Sequence, residues 1–208
     1  MGSELILKIN AILLAGGESS RYGENKALLS FENKPLIEYV YNKLDSHFDD
    51  VIIIGPPKIY DFIEDAEIRE DIIKNKGPLG GLYTGLYYSS TEYNFLAGCD
   101  MPFLNENYFS FLEKILQKKS IQDEYEIMVS EYNGYLEPLA AFYSRKLLDK
   151  IRASLDSSDL KIKSIYNNSR IKIIKEEELD NFFDLKKLFF NINYLQDKET
   201  AENFLDID

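Results

Sequence analysis

The chain has 208 residues and is 45% hydrophobic, enough for one domain, or at most two small ones, with a full core. Its 24 basic residues against 36 acidic ones leave a formal net charge of −12, which excludes a broad nucleic-acid or anionic-membrane surface by simple repulsion. One cysteine, Cys99, and one histidine, His47, exclude a disulfide scaffold and a structural zinc site, and a Ser-His-Asp triad would have to rest on His47 alone.

The first half alternates strand and helix signals. Ile9 to Leu14 is a short apolar run that reads as a buried strand and ends in Ala15-Gly16-Gly17. Pro35 to Leu44 has apolar residues at Leu36, Ile37, Val40, Tyr41 and Leu44, which is helical spacing with Pro35 at the permitted first turn. Val51 to Ile54, closed by Gly55-Pro56-Pro57, is a second buried strand, and Ile72-Ile73 is a weaker third. Leu79 to Ser89 predicts a helix despite Gly80, Gly81 and Gly85, and Asn94 to Gly98 is a fourth strand. Further on, Tyr108 to Leu116 is helical by spacing, Glu126 to Val129 and Leu139 to Tyr143 read as strands, and Arg145 to Leu155 is helical. Ile171 to Ile174 is a strand, and Leu195 to Leu205 an amphipathic helix.

Continuous apolar strands with helices between them predict an α/β fold, with a mostly parallel open sheet covered on both faces in three α/β/α layers. Repeats, low-complexity tracts and linkers are missing from the pattern, so residues 1–208 read as a single domain. No apolar run approaches the roughly 18 to 20 residues of a membrane-spanning helix. The first residues show no charged-then-apolar leader. The expectation is a soluble, cytoplasmic protein without membrane or nucleic-acid partners.

Four strings carry chemistry. In Leu14 to Lys26 a strand runs into a segment with Gly16 and Gly17, followed by Arg21 and Lys26. Glycines let backbone N–H groups approach an anion, Arg21 offers a planar fork for phosphate oxygens, and Lys26 a compact charge. The spacing is neither a P-loop nor a dinucleotide fingerprint, and a bare Gly-Gly would equally suit an ordinary strand-to-helix loop. Cys99-Asp100-Met101-Pro102-Phe103 sets a carboxylate at the C-terminal end of a buried strand, where open α/β sheets place ligands. Asp100 could hold Mg²⁺ together with phosphate oxygens, or it could cap the following turn. Cys99 reads as a small buried hydrophobe rather than a nucleophile.

Asp71 precedes Gly77-Pro78-Leu79-Gly80-Gly81, a three-glycine loop able to admit a flat base or ribose. The Asp71 carboxylate could accept hydrogen bonds from guanine N1–H and N2–H, or be an exposed strand-end acid. Asn191-Ile192-Asn193 puts two amides on one side of an extended segment, suited to a polar acceptor or, for Asn193, to starting the last helix.

Leu14 to Lys26 resembles the Leu-Ala-Gly-Gly-x-Ser-x-Arg-Met-Gly-x-x-Lys signature of the molybdenum cofactor guanylyltransferases, within the nucleotidyltransferase superfamily; Tyr22 stands for the usual Met. Lys34-Pro35-Leu36-Ile37, Gly77 to Gly81, Cys99 to Phe103, Glu137 to Tyr143 and Asn191 to Asn193 are similar to the family's later strings, in family order. The resemblance implies a fold of the nucleotide-diphospho-sugar transferase type. It also implies transfer of GMP from GTP to the terminal phosphate of molybdopterin cofactor, with Mg²⁺ as cofactor and pyrophosphate as the second product. It assigns Leu14, Ala15, Gly16, Gly17, Lys26, Asp71, Gly80 and Asp100 to the nucleotide, and Asn191 and Asn193 to the pterin acceptor. Arg21, Lys26 and Asp100 take the catalytic roles, with Asp100 as the metal ligand. Transient contact with proteins that supply or accept the cofactor is a further expectation.

Two family positions depart. Gly55-Pro56-Pro57 replaces an Asn that touches the nucleotide, and Glu137 replaces a His before Pro-Leu. The rival readings are a cytidylyltransferase or sugar-phosphate nucleotidyltransferase of the same fold, and a nucleotide-binding relative without catalysis. The acidity is concentrated away from the phosphate string: from Glu176 onward there are ten acidic residues against three lysines. A small polyphosphate remains compatible with the overall charge where a polyanion is not.

Overall fold

The computed structural model describes residues 7–15, 25–157 and 160–205. Strand β1 (Ile9–Leu14) is buried at every residue, as continuous apolar strands are when helices cover both faces. Helix α1 (Leu36–Asp45) buries the predicted stripe of Leu36, Ile37, Val40, Tyr41 and Leu44. Pro35 stands one position before the expected first turn, as the N-cap. Strand β2 (Val51–Ile54) follows the prediction.

Strand β3 (Glu67–Arg69) does not. The expected strand at Ile72-Ile73 falls on bends, and the Ile72 N–H goes to the Thr84 hydroxyl at 3.0 Å instead of into a ladder. The true strand lies at the sheet edge and alternates exposed, half-buried, exposed, so its flanking Glu67 and Arg69 hide it from an apolar-run search.

Helix α2 (Gly77–Tyr88) starts two residues earlier than predicted. Gly77-Pro78-Leu79-Gly80-Gly81 is therefore its first turns and not a loop, with Pro78 tolerated where its missing N–H is harmless. The glycines serve close packing: a Cβ at Gly85 would run into the Ile12 side chain, and one at Gly81 would lie 2.8 Å from Leu14 Cδ2. Strand β4 (Tyr93–Gly98) and helix α3 (Glu106–Leu116) follow, the helix capped by Asn105, whose side chain accepts from the Tyr108 N–H.

Strands β5 (Ile127–Tyr132) and β6 (Tyr135–Ser144) are longer than the predicted 126–129 and 139–143. They form one hairpin across Asn133 (φ 50°) and Gly134 (φ 74°), the pair of positive φ values that suits a two-residue turn. A short 3₁₀ turn, Arg145–Leu147, breaks the predicted helix before α4 (Leu148–Asp156). Strand β7 (Ile171–Ile174) and helix α5 (Leu195–Leu205) end the described chain as expected.

The seven-stranded sheet runs β3-β2-β1-β4-β6-β5-β7, with β6 antiparallel to both neighbours and all other pairs parallel. Alternate residues split between two cores. Ala11, Leu13, Ile53 and Phe95 face α1 and α3; Ile12, Leu14, Ile52 and Leu96 face α2 and α4. This is the three-layer α/β/α architecture. The chain leaves β1 outward to β2 and β3, then returns to β4 on the other side of β1. Such a reversal of direction opens a crevice at the C-terminal ends of the strands.

Candidate active site

Register sets the site. Arg69, Ile54, Leu14 and Gly98 are partners in one row across β3, β2, β1 and β4, so four parallel strands end along one line. The ladder extends one residue further, with Ala15 N donating to Ile54 O at 2.9 Å, Gly55 N to Arg69 O at 2.9 Å and Cys99 N to Leu14 O at 3.1 Å. The backbone groups of Leu14 and Ala15 are thus largely committed to the sheet, and these residues act as a rigid stem. Gly16, Gly17 and Arg21, with Tyr22, lie outside the described residues.

Lys26 opens a 3₁₀ turn, Lys26–Leu28, capped by Asn25 Oδ1, which accepts from the Ala27 N–H at 3.1 Å. Its ammonium donates to Asn193 Oδ1 at 2.9 Å. The Ile192 N–H donates to the Asp100 carbonyl at 2.9 Å, which ties the Asn191 to Asn193 segment to the end of β4. Lys26, Asp100 and Asn193, 167 residues apart at the extremes, therefore meet at one place. Burial pushes the Asp100 carboxyl up from its ordinary range, and the positive charge of Lys26 partly opposes that shift.

The two asparagines do not act as a pair. The Asn191 side chain turns back to the Phe189 carbonyl at 3.0 Å, while Asn193 reaches Lys26. The helix start is served by Asp197 instead, whose carboxylate accepts from the N–H groups of Asn193 and Tyr194 at 2.7 and 2.8 Å.

Asp71 lies two residues past β3, about 10 Å along the sheet from β1 at two strand spacings. Its Oδ1 is buried and has no hydrogen-bond partner among the described residues. Burial raises its pKa, with a smaller opposing effect from the Thr84 side chain. An unpartnered buried acceptor is costly, and a ligand N–H would relieve it. Gly80 sits nearby in the first turn of α2, but its N–H is already donated to the Lys76 carbonyl at 3.2 Å. Its absent side chain spares a contact with Lys76 Cβ at 2.8 Å.

Cys99 behaves as expected for an inert thiol. Burial, with the negative charge of Asp100 next, pushes its pKa far up. Glu137 on β6 is half-buried, with its carboxyl raised by burial and partly offset by Lys163. Leu139, two residues on, would touch a Cβ placed at Gly98, at 3.3 Å, so Glu137 borders the Asp100 end of the crevice.

Two residues of the site have no signature in the sequence. Lys43 on α1 donates to the Pro102 carbonyl at 2.7 Å and lies over the Tyr39 ring, fixing the turn that carries Asp100. Burial, helped by Lys187, pushes Lys43 down to about 8. Tyr60 ends a short helix, Pro57–Tyr60, and its hydroxyl donates to the Ala15 carbonyl at 2.7 Å.

Among the described residues no three His, Cys, Asp or Glu side chains gather to hold a metal ion. A lone carboxylate is the usual protein share of a Mg²⁺ site whose other ligands are phosphate oxygens and water. Asp100, an acid at a strand end beside a lysine, fits that share. No helix of the described residues is long and apolar enough to cross a membrane.

A family model for the MobA-like NTP transferase domain matches residues 11–173. A molybdenum cofactor guanylyltransferase of Desulfosudis oleivorans is 32% identical over 195 residues, covering 93% of this chain and 94% of that one. A probable molybdenum cofactor guanylyltransferase of Peptoclostridium acidaminophilum is 31% identical over 190 residues, with 90% and 86% covered. The crystal structure of molybdopterin-guanine dinucleotide biosynthesis protein A from Archaeoglobus fulgidus superimposes with a TM-score of 0.81 over 96% of this chain and 100% of that one, at 23% identity, and so shares the fold. On the family model and the two relatives, the chain belongs to the MobA-like NTP transferases, among the molybdenum cofactor guanylyltransferases.

Proposed function

We propose that the protein transfers GMP from GTP to the terminal phosphate of molybdopterin cofactor. An acceptor phosphate oxygen attacks the α-phosphorus of GTP in line; a P–O bond forms there, and the bond to the leaving pyrophosphate breaks. The acceptor is already anionic at neutral pH, so no protein nucleophile is required. The work of the chain is positioning and charge neutralisation.

The observation that carries this reading is the convergence of Lys26, Asp100 and Asn193 at the C-terminal ends of β1 and β4. Lys26 stabilises negative charge on the α-phosphate and on the departing pyrophosphate. Gly16, Gly17 and Arg21 belong to the same phosphate string by sequence. Asn193 holds Lys26 at the boundary between donor and acceptor, and Asn191 lies beside it in the chain. At the other end of the row, the Asp71 carboxylate, whose Oδ1 is buried without a partner among the described residues, would accept from the guanine N1–H and N2–H. Asp100 would hold Mg²⁺, which when bound supplies neutralisation of the triphosphate charge. Both substrates are soluble, which suits a cytoplasmic enzyme that meets cofactor-supplying and cofactor-accepting proteins only transiently.

Lys26→Ala tests the assignment. Loss of one electrostatic group of this kind costs about 10² to 10³ in kcat. The expected result is that loss in pyrophosphate release from GTP and purified cofactor, with an unchanged melting temperature. Normal transfer by Lys26→Ala would overturn the assignment. In a parallel thermal-shift series with Mg²⁺, GTP should stabilise the wild type more than CTP or UTP, because the shift scales with affinity. A larger shift with CTP would favour the cytidylyltransferase reading.

A further inference from the structure

Tyr60 is a large polar side chain in the core, only 1% exposed, and neither the phosphate chemistry nor base recognition uses it. Its hydroxyl makes two hydrogen bonds. It donates to the Ala15 carbonyl at 2.7 Å and accepts from Asn25 Nδ2 at 3.0 Å. Ala15 and Asn25 are the residues on either side of positions 16 to 24, the string that carries Gly16, Gly17 and Arg21. One side chain from a different part of the fold thus ties the end of β1 to the residue that caps the Lys26 turn.

We propose that the Tyr60 hydroxyl is a clamp that holds Ala15 at the end of β1 and Asn25 at the start of the Lys26 turn, and thereby positions Lys26 for the donor nucleotide. The proposal rests on the reading of Lys26 as a group that meets the phosphates of GTP. Tyr60 is a positioning residue: it acts through Ala15, Asn25 and Lys26, and touches no substrate itself.

Three further observations support the clamp. First, the bond to Asn25 is relayed to Lys26. The same amide side chain that donates to Tyr60 uses its oxygen to cap the turn starting at Lys26, at 3.1 Å from the Ala27 N–H. The position of the lysine therefore depends on where Tyr60 holds Asn25. Second, the ring occupies space that only a glycine at position 55 leaves open. A Cβ on Gly55 would lie 2.7 Å from Tyr60 Cε2, 3.3 Å from Cδ2 and 3.4 Å from Ala15 Cβ. Third, burial raises the hydroxyl pKa, so the proton needed for the bond to Ala15 stays in place at neutral pH.

The energetic logic is pre-organisation. A phosphate-binding side chain that lacks fixed supports must be ordered when the triphosphate arrives, and that cost weakens binding. A clamp on the end of β1 and on the cap of the Lys26 turn removes part of this cost before the ligand arrives. A prop that served stability alone would change the melting temperature and leave the two substrates affected alike.

Tyr60→Phe keeps the ring against Gly55 and removes the hydroxyl. One lost hydrogen bond to a buried carbonyl corresponds to about a tenfold effect. The expected result in steady-state transfer assays is a KM for GTP raised about tenfold, with the KM for molybdopterin cofactor changed less than twofold. Gly55→Ala is the second variant: it keeps the hydroxyl and displaces the ring, and should show the same donor-side defect. It decides the matter alone if Tyr60→Phe does not fold. Lys26→Ala is run alongside. If it abolishes transfer while both clamp variants keep a normal KM for GTP, or raise both KM values equally, the clamp is wrong and the GTP-site reading stands. If Lys26→Ala transfers normally, that reading falls and the clamp falls with it.

Discussion

The two halves of the sheet treat polar groups in opposite ways. In the all-parallel half, β3-β2-β1-β4, the strand ends leave acids that are poorly satisfied. Asp71 keeps a buried oxygen without a partner among the described residues, and burial raises both Asp71 and Asp100. In the half that contains the hairpin, β6-β5-β7, buried polar groups are closed against one another. The Tyr108 hydroxyl meets Ser130 at 2.8 Å and the Ala140 carbonyl at 2.9 Å, and the Tyr143 hydroxyl meets Tyr166 at 2.8 Å. Glu126 receives Lys150 at 2.7 Å and the Arg170 N–H at 3.1 Å. Burial alone would raise Glu126, but these partners outweigh it and hold the carboxyl below its ordinary value. The lesson is that burial of an acid does not mark a site; burial without a partner does. Glu137 is the member of the second half that breaks its rule, and it borders the Asp100 end of the crevice.

The largest expected effect lies in the aromatic core where the halves join. Phe95 on β4 is fully buried and packs on Phe48, Phe109 and Phe142, with ring centroids 5.3, 5.0 and 5.2 Å away. Phe95→Ala should cost about 3 to 5 kcal/mol and lower the melting temperature on the order of 10 °C. The KM for GTP, measured well below that temperature, should not move. A shifted KM with an unshifted melting point would break the division between a structural core and a functional rim. A smaller effect belongs to Glu126. Glu126→Gln should destabilise by about 1 to 3 kcal/mol at pH 7, the worth of hydrogen bonds to a charged group. Because partners hold its folded pKa below 4.5, its contribution is present above that pH and disappears as pH falls through the folded value. Denaturation at pH 7 and pH 3 should therefore show the variant's deficit at the first and little at the second.

The same contrast explains what was legible in the sequence. The parallel half announces itself through continuous apolar runs such as Ile9 to Leu14 and Val51 to Ile54; Asp100 stands just past such a run, and Lys26 closes the glycine-rich string that follows one. Edge strand β3 was hidden because only Ile68 of its three residues is half-buried, and the neighbouring Ile72-Ile73 offered a stronger apolar pair. The hairpin was underestimated although Asn133-Gly134 marks its turn, because the strand residues beside the turn are partly exposed and mix charge with aromatics. Gly77 to Gly81 reads as a three-glycine loop but forms the first turns of α2, and Gly81 with Gly85 lets that helix lie on β1. Tyr60 and Lys43 act through bonds to backbone carbonyls that lie 45 and 59 residues away in the chain, and no local pattern records such a bond.

The smallest expected stability change carries a sign that sharpens the comparison most. Asp71 has a folded pKa raised above 3.8 by burial, so its charged form is disfavoured in the fold. Above the folded pKa the native protein holds a carboxylate it would rather protonate, and this lowers stability; the deficit is relieved as pH falls through the folded value and is gone below 3.8. Asp71→Asn removes the charge while keeping the size. It should raise the melting temperature at pH 7 by about 1 to 3 °C, the equivalent of a few tenths to 1 kcal/mol, and leave it unchanged at pH 3. If Asp71 is the guanine acceptor proposed above, the same variant weakens it, so the KM for GTP should rise about tenfold or more while that for the cofactor holds. Stability gained where affinity is lost is the pattern of an acid kept for a ligand. Were Asp71→Asn to lose stability at pH 7 as Glu126→Gln does, Asp71 would belong with the closed polar groups of the other half, and its place at the guanine edge would have to be given up.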